Sequence, residues 1–286
     1  MDRAVELGLT FWDSADIYGD SEVLIGRWFA RDPSNRAKIF LATKFGINTT
    51  GVGSATRGDP EYVRACVRRS IARLGIDRID LYYMHRPDPT TPIEVTVRVL
   101  KELQDEGIIG HIGLSECDAD TLRRAAAVTQ IAAYQVEYSP FFTDIETSEL
   151  GILAAARENG IAIVPYSPLG RGLLTGKYKS IDDFDEDDFR RKVPRYSDPE
   201  NFAKLLALVD RLRAMADAKG VTPGQLTLAW IIAQGPDFVP IPGTSRIANL
   251  EENRGSLDVE LTANEVADIR AAIGEADVSG LRYPEG

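Results

Sequence analysis

A parallel α/β barrel is the fold that this sequence predicts. Apolar strand-like runs alternate with amphipathic helical stretches along the whole chain. Polar, titratable residues gather where those runs end. The 286-residue length suits one large α/β domain, read here as spanning 1–286.

The opening residues, MDRAVELG, read as the end of an amphipathic helix closed by Gly8 as a left-handed cap. Strand-like runs then follow in order: FWDSA from Phe11, KIFLATKF (38–45), IDLYYMHRP (79–87), IIGHIGLSE (108–116), AAYQVEYSP (132–140), IAIVPYSP (161–168) and FVPIPGT (238–244). Between them lie PEYVRACVRRSIARLG, PIEVTVRVLKELQDEG and ELGILAAARENG, with Pro or an acid in the first turn and a closing Gly. Seven runs imply a (β/α)8 barrel whose first strand is absent from this chain, its place being ahead of the helix at Met1. An open doubly wound sheet is the competing architecture. Residues 169–200 are expected to form a long polar loop over the barrel mouth. Residues 262–274 are expected to form a C-terminal helix, with Thr262 and Glu265 as its capping box.

Composition narrows the function. A net charge of -11 argues against a general nucleic-acid or anionic-membrane surface, while leaving room for a small anionic ligand held by local Arg and Lys. The only cysteines, Cys66 and Cys117, are too few for a disulfide framework and point to a reducing, cytoplasmic setting. No apolar run reaches the ~20 residues of a membrane helix, and no signal segment opens the chain.

Several motif-like stretches do not carry chemistry. GVGSATRG (51–58) lacks the third glycine of a dinucleotide fingerprint and reads as a flexible loop. GRGLLTGKY has too few residues between Gly172 and Gly176 for a phosphate-binding P-loop. IDDFDEDDF reads as a solvated acidic face, and metal-ligand spacing is absent throughout. His111 is expected to be a core or barrel-layer histidine. Neither Ser14 nor Ser115 sits in a nucleophile elbow.

The ends of the strand-like runs tell more. Asp13 and Tyr18 follow the first run, Lys44 closes the second and His85 the third. In a barrel these would converge on the face that carries chemistry. Lys44 lies among apolar neighbours in LATKFG, so its ammonium needs a counter-ion, and Asp13 is the natural one. An ammonium beside a phenol favours the phenolate, which makes Tyr18 a better proton donor than an isolated phenol. His85 can hydrogen-bond the same substrate oxygen. Such an assembly suits proton delivery to an oxygen gaining negative charge, as carbonyl reduction demands. It offers no nucleophile for acyl transfer and no carboxylate pair for glycoside hydrolysis.

In order and local context (DSADIYG, ATKFG, YMHRPD) these residues resemble the Asp, Tyr, Lys and His tetrad of the aldo-keto reductases, with similarity from Met1 to about Leu257. The resemblance implies an NADPH-dependent reductase of a small-molecule aldehyde or ketone, with Tyr18 as the acid. It places the nicotinamide carboxamide on Ser115 and Gln135, and the nicotinamide ring against Tyr166. Ser167, Leu169, Gly170 and Arg171 of SPLGRG, with Lys177, would belt the pyrophosphate. Ile241, Gly243, Thr244, Ser245 and Arg246 of IPGTSR would receive the adenosine 2′-phosphate, and Asn249, Glu252 and Asn253 would meet the adenine end. Within the family, GLSE, VEYSPFFTDIE and TPGQLTLAW resemble the pyridoxal reductase branch. Glu116 stands where many members carry Asn. The family also carries a hairpin, a first strand and a glycine-rich stretch ahead of the position of Met1. Two alternatives stay open on these residues: a nucleotide-binding regulatory subunit of the channel β-subunit type, and an inactive shortened homologue.

Overall fold

A computed structural model describes residues 1–49, 54–276 and 278 of the chain. Gly51, Val52 and Gly53 of GVGSATRG lie outside the described residues. The chain divides into two compact units, Met1–Val136 with Ile145–Val164, and Glu137–Asp144 with Pro165–Gly286.

The short helix α1 (Asp2–Glu6) leads through Gly8, at φ 76°, into strand β1 (Phe11–Asp13). Helices α2 (Ser21–Arg31) and α3 (Ser34–Ala37) precede β2 (Phe40–Phe45), and α4 (Pro60–Leu74) precedes β3 (Ile79–Met84). The alternation continues through α5 (Ile93–Asp105), β4 (Ile109–Ser115), α6 (Ala119–Val128), β5 (Ala133–Glu137), α7 (Ile152–Glu158) and β6 (Ala162–Tyr166). Local chemistry sets the ends. In α4, Asp59 accepts a hydrogen bond from the Tyr62 amide, Pro60 occupies the first turn, and Gly75 closes the helix at φ 63°.

The strands form one six-stranded sheet in sequence order, and the pairings from β1 to β5 are parallel. Strands β2, β3 and β4 are buried on nearly every residue, as parallel strands covered on both faces should be. The sheet is strongly curled. A flat sheet would separate β1 from β5 by roughly 19 Å, at ~4.8 Å per strand. Instead the Gln135 side chain of β5 donates a 2.8 Å hydrogen bond to Asp13 of β1. A barrel-type curl of a right-twisted sheet is what brings those ends together.

One register explains how the inside is filled. Lys44 pairs with Tyr83, Tyr83 with Gly113, and Gly113 with Ala133 across β2 to β5. A Cβ on Gly113 would fall 2.3 Å from the Tyr83 ring. Glycine is therefore required on that rung to admit the aromatic side chain.

The second unit is helical: α8 (Pro194–Ser197), α9 (Pro199–Lys219), α10 (Pro223–Ile232), α11 (Ile247–Gly255) and α12 (Ala263–Glu275). Thr262 and Glu265 form the capping box of α12, as the sequence predicts. No helix among the described residues is long and apolar enough to cross a membrane.

Three expectations need correction. FVPIPGT is not a strand: Ile241 donates one hydrogen bond to the Pro165 carbonyl, while Pro240 and Pro242 have no N–H to give. His111 is exposed, not a core residue, and stacks on Phe40 with ring centroids 5.9 Å apart. Residues 169–200 are more than a polar loop. They contain 3-10 turns at Gly170–Thr175, Ile181–Asp183 and Phe189–Lys192, and they bury Leu173, Leu174, Phe184, Val193 and Tyr196. The acids Asp182, Asp183, Asp185, Glu186 and Asp187 remain exposed, so Phe184 alone turns inward from that run.

Gly113→Ala should destabilise the protein by about 1–3 kcal/mol through overpacking against Tyr83. Urea unfolding measures this directly, and a Gly113→Ala/Tyr83→Leu double variant should regain part of the loss.

Candidate active site

In the first unit the ends of β1, β2, β3 and β5 deliver Asp13, Lys44, His85 and Gln135 to one place. Lys44 is wholly inaccessible, with its ammonium ion-paired to Asp13 Oδ1. The same Nζ donates to the Ser14 carbonyl at 2.7 Å. The other carboxylate oxygen of Asp13 accepts from Gln135. Burial pushes the Asp13 carboxyl above its ordinary range, while the Lys44 ammonium and the Gln135 amide pull the other way.

Tyr18 lies in the loop between β1 and α2. Its ring sits 4.8 Å from Lys44 Nζ, and 5.8 Å from the His85 ring in an edge-on arrangement. Unlike Asp13, Lys44 and His85 around it, Tyr18 is 47% exposed. His85 is buried. Desolvation first, then the charges of Lys44 and Arg86, hold its imidazole down to about 3. It is therefore neutral at ordinary pH, able to donate or accept one hydrogen bond but not to act as an imidazolium acid. The four residues singled out by sequence thus meet, through Lys44–Asp13, Lys44–Tyr18 and Tyr18–His85 contacts.

Ser115, at the end of β4, is buried and accepts a weak 3.4 Å hydrogen bond from Arg86. Glu116 follows at φ 53°, a left-handed conformation that disfavours a glutamate, and donates its N–H to the Gln135 carbonyl.

The second unit holds the remaining candidates. Tyr166 ends β6 half-buried. After it, Ser167 (φ 49°), Gly170 (φ 54°), Arg171 (φ 53°) and Gly172 (φ 93°) crowd left-handed backbone into one short segment, with Leu169 half-buried among them. The Arg171 carbonyl accepts from Arg190 at 2.8 Å, and Lys177 is exposed beside the Tyr178 ring. Gly243, Thr244, Ser245 and Arg246 are exposed ahead of α11, and Ile241 is half-buried. The Thr244 hydroxyl accepts from the Arg246 amide at 3.1 Å. Among the described residues the Arg246 guanidinium has no ion-pair partner, so pairing with Glu251 or Glu252 does not occupy it. Asn249 is exposed on the first turn of α11, and Asn253 is half-buried. Glu252 is tied to α10 by a 2.7 Å hydrogen bond from Thr222.

Sequence reasoning did not find the residues behind the site. Glu22 accepts from Thr43 at 2.8 Å and from Arg73 at 3.3 Å, Arg73 also reaches the Asp16 carbonyl, and Arg69 donates to the Asp16 carboxylate at 2.7 Å. The i, i+4 pair of arginines on α4 was the available signal, but surface pairs of that spacing are common.

The Aldo/keto reductase family profile matches residues 1–273. The chain is 54% identical over 282 residues to an aldo-keto reductase of Strobilurus tenacellus, covering 99% of this chain and 82% of that protein. It is 53% identical over 288 residues to a Schizosaccharomyces pombe aldo-keto reductase designated for NADP(+), covering 99% and 84%. A glycerol dehydrogenase from Gluconobacter oxydans superposes with a TM-score of 0.86 at 26% identity, covering 99% of this chain and 88% of that one.

The depressed His85 has a pH signature. Its folded value, about 3, lies below the ordinary 6.5, so the stability linked to the neutral imidazole is present above pH 6.5 and lost as pH falls towards 3. Relative to a His85→Gln variant, the protein should lose on the order of 1 kcal/mol per pH unit between about pH 6 and 4. Urea unfolding of both proteins across that range checks it; parallel curves would refute it.

Proposed function

The chain belongs to the aldo/keto reductase family, and from that premise we propose that it reduces an aldehyde or ketone with NADPH, Tyr18 delivering the proton. The observation that carries this reading is the contact of a buried, carboxylate-paired ammonium with the ring of a half-exposed tyrosine.

NADPH, when bound, supplies the hydride for the carbonyl carbon. The rest falls to side chains of this chain. Tyr18 gives its hydroxyl proton to the carbonyl oxygen as charge develops there. Lys44 stabilises the phenolate left behind, and Asp13 keeps the ammonium in place through its ion pair. His85, neutral, orients the substrate oxygen by a hydrogen bond and does not compete as the acid. Ser115 and Gln135 offer a hydroxyl and an amide to the nicotinamide carboxamide. Gln135 commits one of its two N–H groups to Asp13 and has a second N–H and a carbonyl oxygen besides.

The second unit fits a dinucleotide phosphate. A guanidinium with no ion-pair partner among the described residues and two hydroxyls, from Arg246, Thr244 and Ser245, stand at the N-terminus of α11, where free amides and the helix dipole favour an anion. That donor set supports NADP over NAD, because a 2′-phosphate would meet a charge there. The turn from Ser167 to Gly172, with Lys177, supports a pyrophosphate-binding role, and Tyr166 a stacking one. Asn249, Glu252 and Asn253 on α11 support contacts to adenine. Among aldehydes, pyridoxal is the substrate that GLSE, VEYSPFFTDIE and TPGQLTLAW favour. The reading places a small-molecule carbonyl compound, not nucleic acid or a membrane, as the partner, and a cytoplasmic setting suits both.

Tyr18→Phe should lower kcat/KM for pyridoxal or a test aldehyde by about 10²–10⁴-fold while NADPH binding stays within about twofold. Retained turnover in that variant would exclude Tyr18 as the acid. Arg246→Ala should weaken NADPH by roughly 10–100-fold and leave NADH nearly unchanged, as expected for one charge-assisted contact. Fluorescence titration with both nucleotides measures the difference.

A further inference from the structure

We infer that Glu22 and Thr43 are positioning residues that set the spacing between Tyr18 and Lys44; the inference rests on the reading of Tyr18 as proton donor. Among the described residues the Tyr18 hydroxyl has no hydrogen-bond partner, and its ring is half-exposed. Its place is therefore set by the loop that carries it. That loop is fastened at several points. The Asp16 amide donates to the Lys44 carbonyl at 3.1 Å, the Ser21 amide to the Tyr18 carbonyl at 3.0 Å, and the Ser14 hydroxyl to that of Ser21 at 2.8 Å.

Glu22 ties these pieces together from behind. It lies in the first turn of α2, four residues after Tyr18, and is 1% exposed. One carboxylate oxygen accepts from the Thr43 hydroxyl and the other from Arg73 Nη1. The same Arg73 nitrogen donates to the Asp16 carbonyl at 2.9 Å. Thr43 immediately precedes Lys44 in β2, so the two side chains leave opposite faces of the strand. Thr43 is thus a peg on the helix-facing side, while Lys44 projects into the site on the other. Gly26 allows α2 to dock so closely on α4 that a Cβ there would lie 2.5 Å from the Arg73 carbonyl.

A buried carboxylate is a costly way to pack a helix against a strand. An apolar side chain of similar size would generally stabilise as well or better. What the carboxylate adds is direction: it holds the Tyr18 loop, the strand of Lys44 and the end of α4 in one register. Without the Thr43 contact, the loop can slide relative to Lys44. A displacement near 1 Å at a reacting group is worth up to ~10²-fold in rate.

The test uses the full chain with Thr43→Val, Thr43→Ser and Glu22→Gln, with Tyr18→Phe alongside. Thr43→Val should lower kcat for aldehyde reduction about tenfold or more, shift the pH profile of kcat, and leave NADPH binding within about twofold. Its crystal structure should show the Lys44 Nζ to Tyr18 ring distance lengthened beyond 4.8 Å. Glu22→Gln, which preserves volume, should act in the same direction, and Thr43→Ser should restore both rate and spacing. An unchanged kcat and pH profile in Thr43→Val overturns the inference, as does equal damage in Thr43→Val and Thr43→Ser. Should Tyr18→Phe keep its turnover, the proton-donor reading fails by itself; the crystallographic spacing in Thr43→Val then still decides the positioning claim, and an unaltered distance refutes it.

Discussion

An ammonium with no access to water must be answered by a carboxylate, and the ion pair of Lys44 with Asp13 governs the site in the first unit. Desolvating two such charges costs several kcal/mol each, and their attraction recovers this only when the remaining donors and acceptors are also satisfied. The structure meets that condition from three directions. Ser14 supplies a carbonyl to the ammonium, Gln135 supplies an amide to the carboxylate, and the curl of the sheet brings β5 near enough to β1 for the latter. Loss of either charged partner would strand the other in an apolar surrounding, so Lys44 and Asp13 constrain each other and the fold around them.

The same charge shapes its neighbours. Lys44 contributes, after burial, to keeping His85 neutral, and it faces the Tyr18 ring. One cation thereby touches two groups that could each move a proton: the imidazole is held neutral, and the phenol belongs to a half-exposed residue. Behind them two buried carboxylates, Asp16 and Glu22, paired with the partly exposed Arg69 and Arg73, fasten the loop to β2 and α4. Polar groups at that depth are weak contributors to stability but strong determinants of register.

The second unit solves a different problem, that of holding strained backbone. Ser167 and Arg171 adopt left-handed conformations that cost non-glycine residues of order 1–3 kcal/mol. Arg190 offsets part of this. Its guanidinium bonds the Arg171 carbonyl, pairs with Asp188 and lies 4.0 Å and 4.4 Å from the Phe184 and Tyr178 ring centroids. The segment is therefore built around a cation that lies against two mutually packed aromatic rings, with Phe184 as a buried anchor.

Much of this was legible in the residues alone. Alternating apolar and helical periods determine a parallel α/β fold because strand and helix bury side chains with different spacing. Abrupt polarity at the ends of those runs marked Asp13, Tyr18, Lys44 and His85, and the Thr262 and Glu265 capping box followed from local hydrogen bonding. Tertiary structure decided what depends on neighbours distant in the chain. That Gln135 would reach Asp13, that Glu22 would brace Thr43, and that His111 would be exposed on β4 cannot be read from spacing. FVPIPGT shows the same limit, since an apolar run becomes a strand only if its amides can complete a ladder, and two prolines cannot. Periodicity reports which face of an element is buried; the curl of the sheet and the closeness of α2 to α4 determine which polar groups meet there.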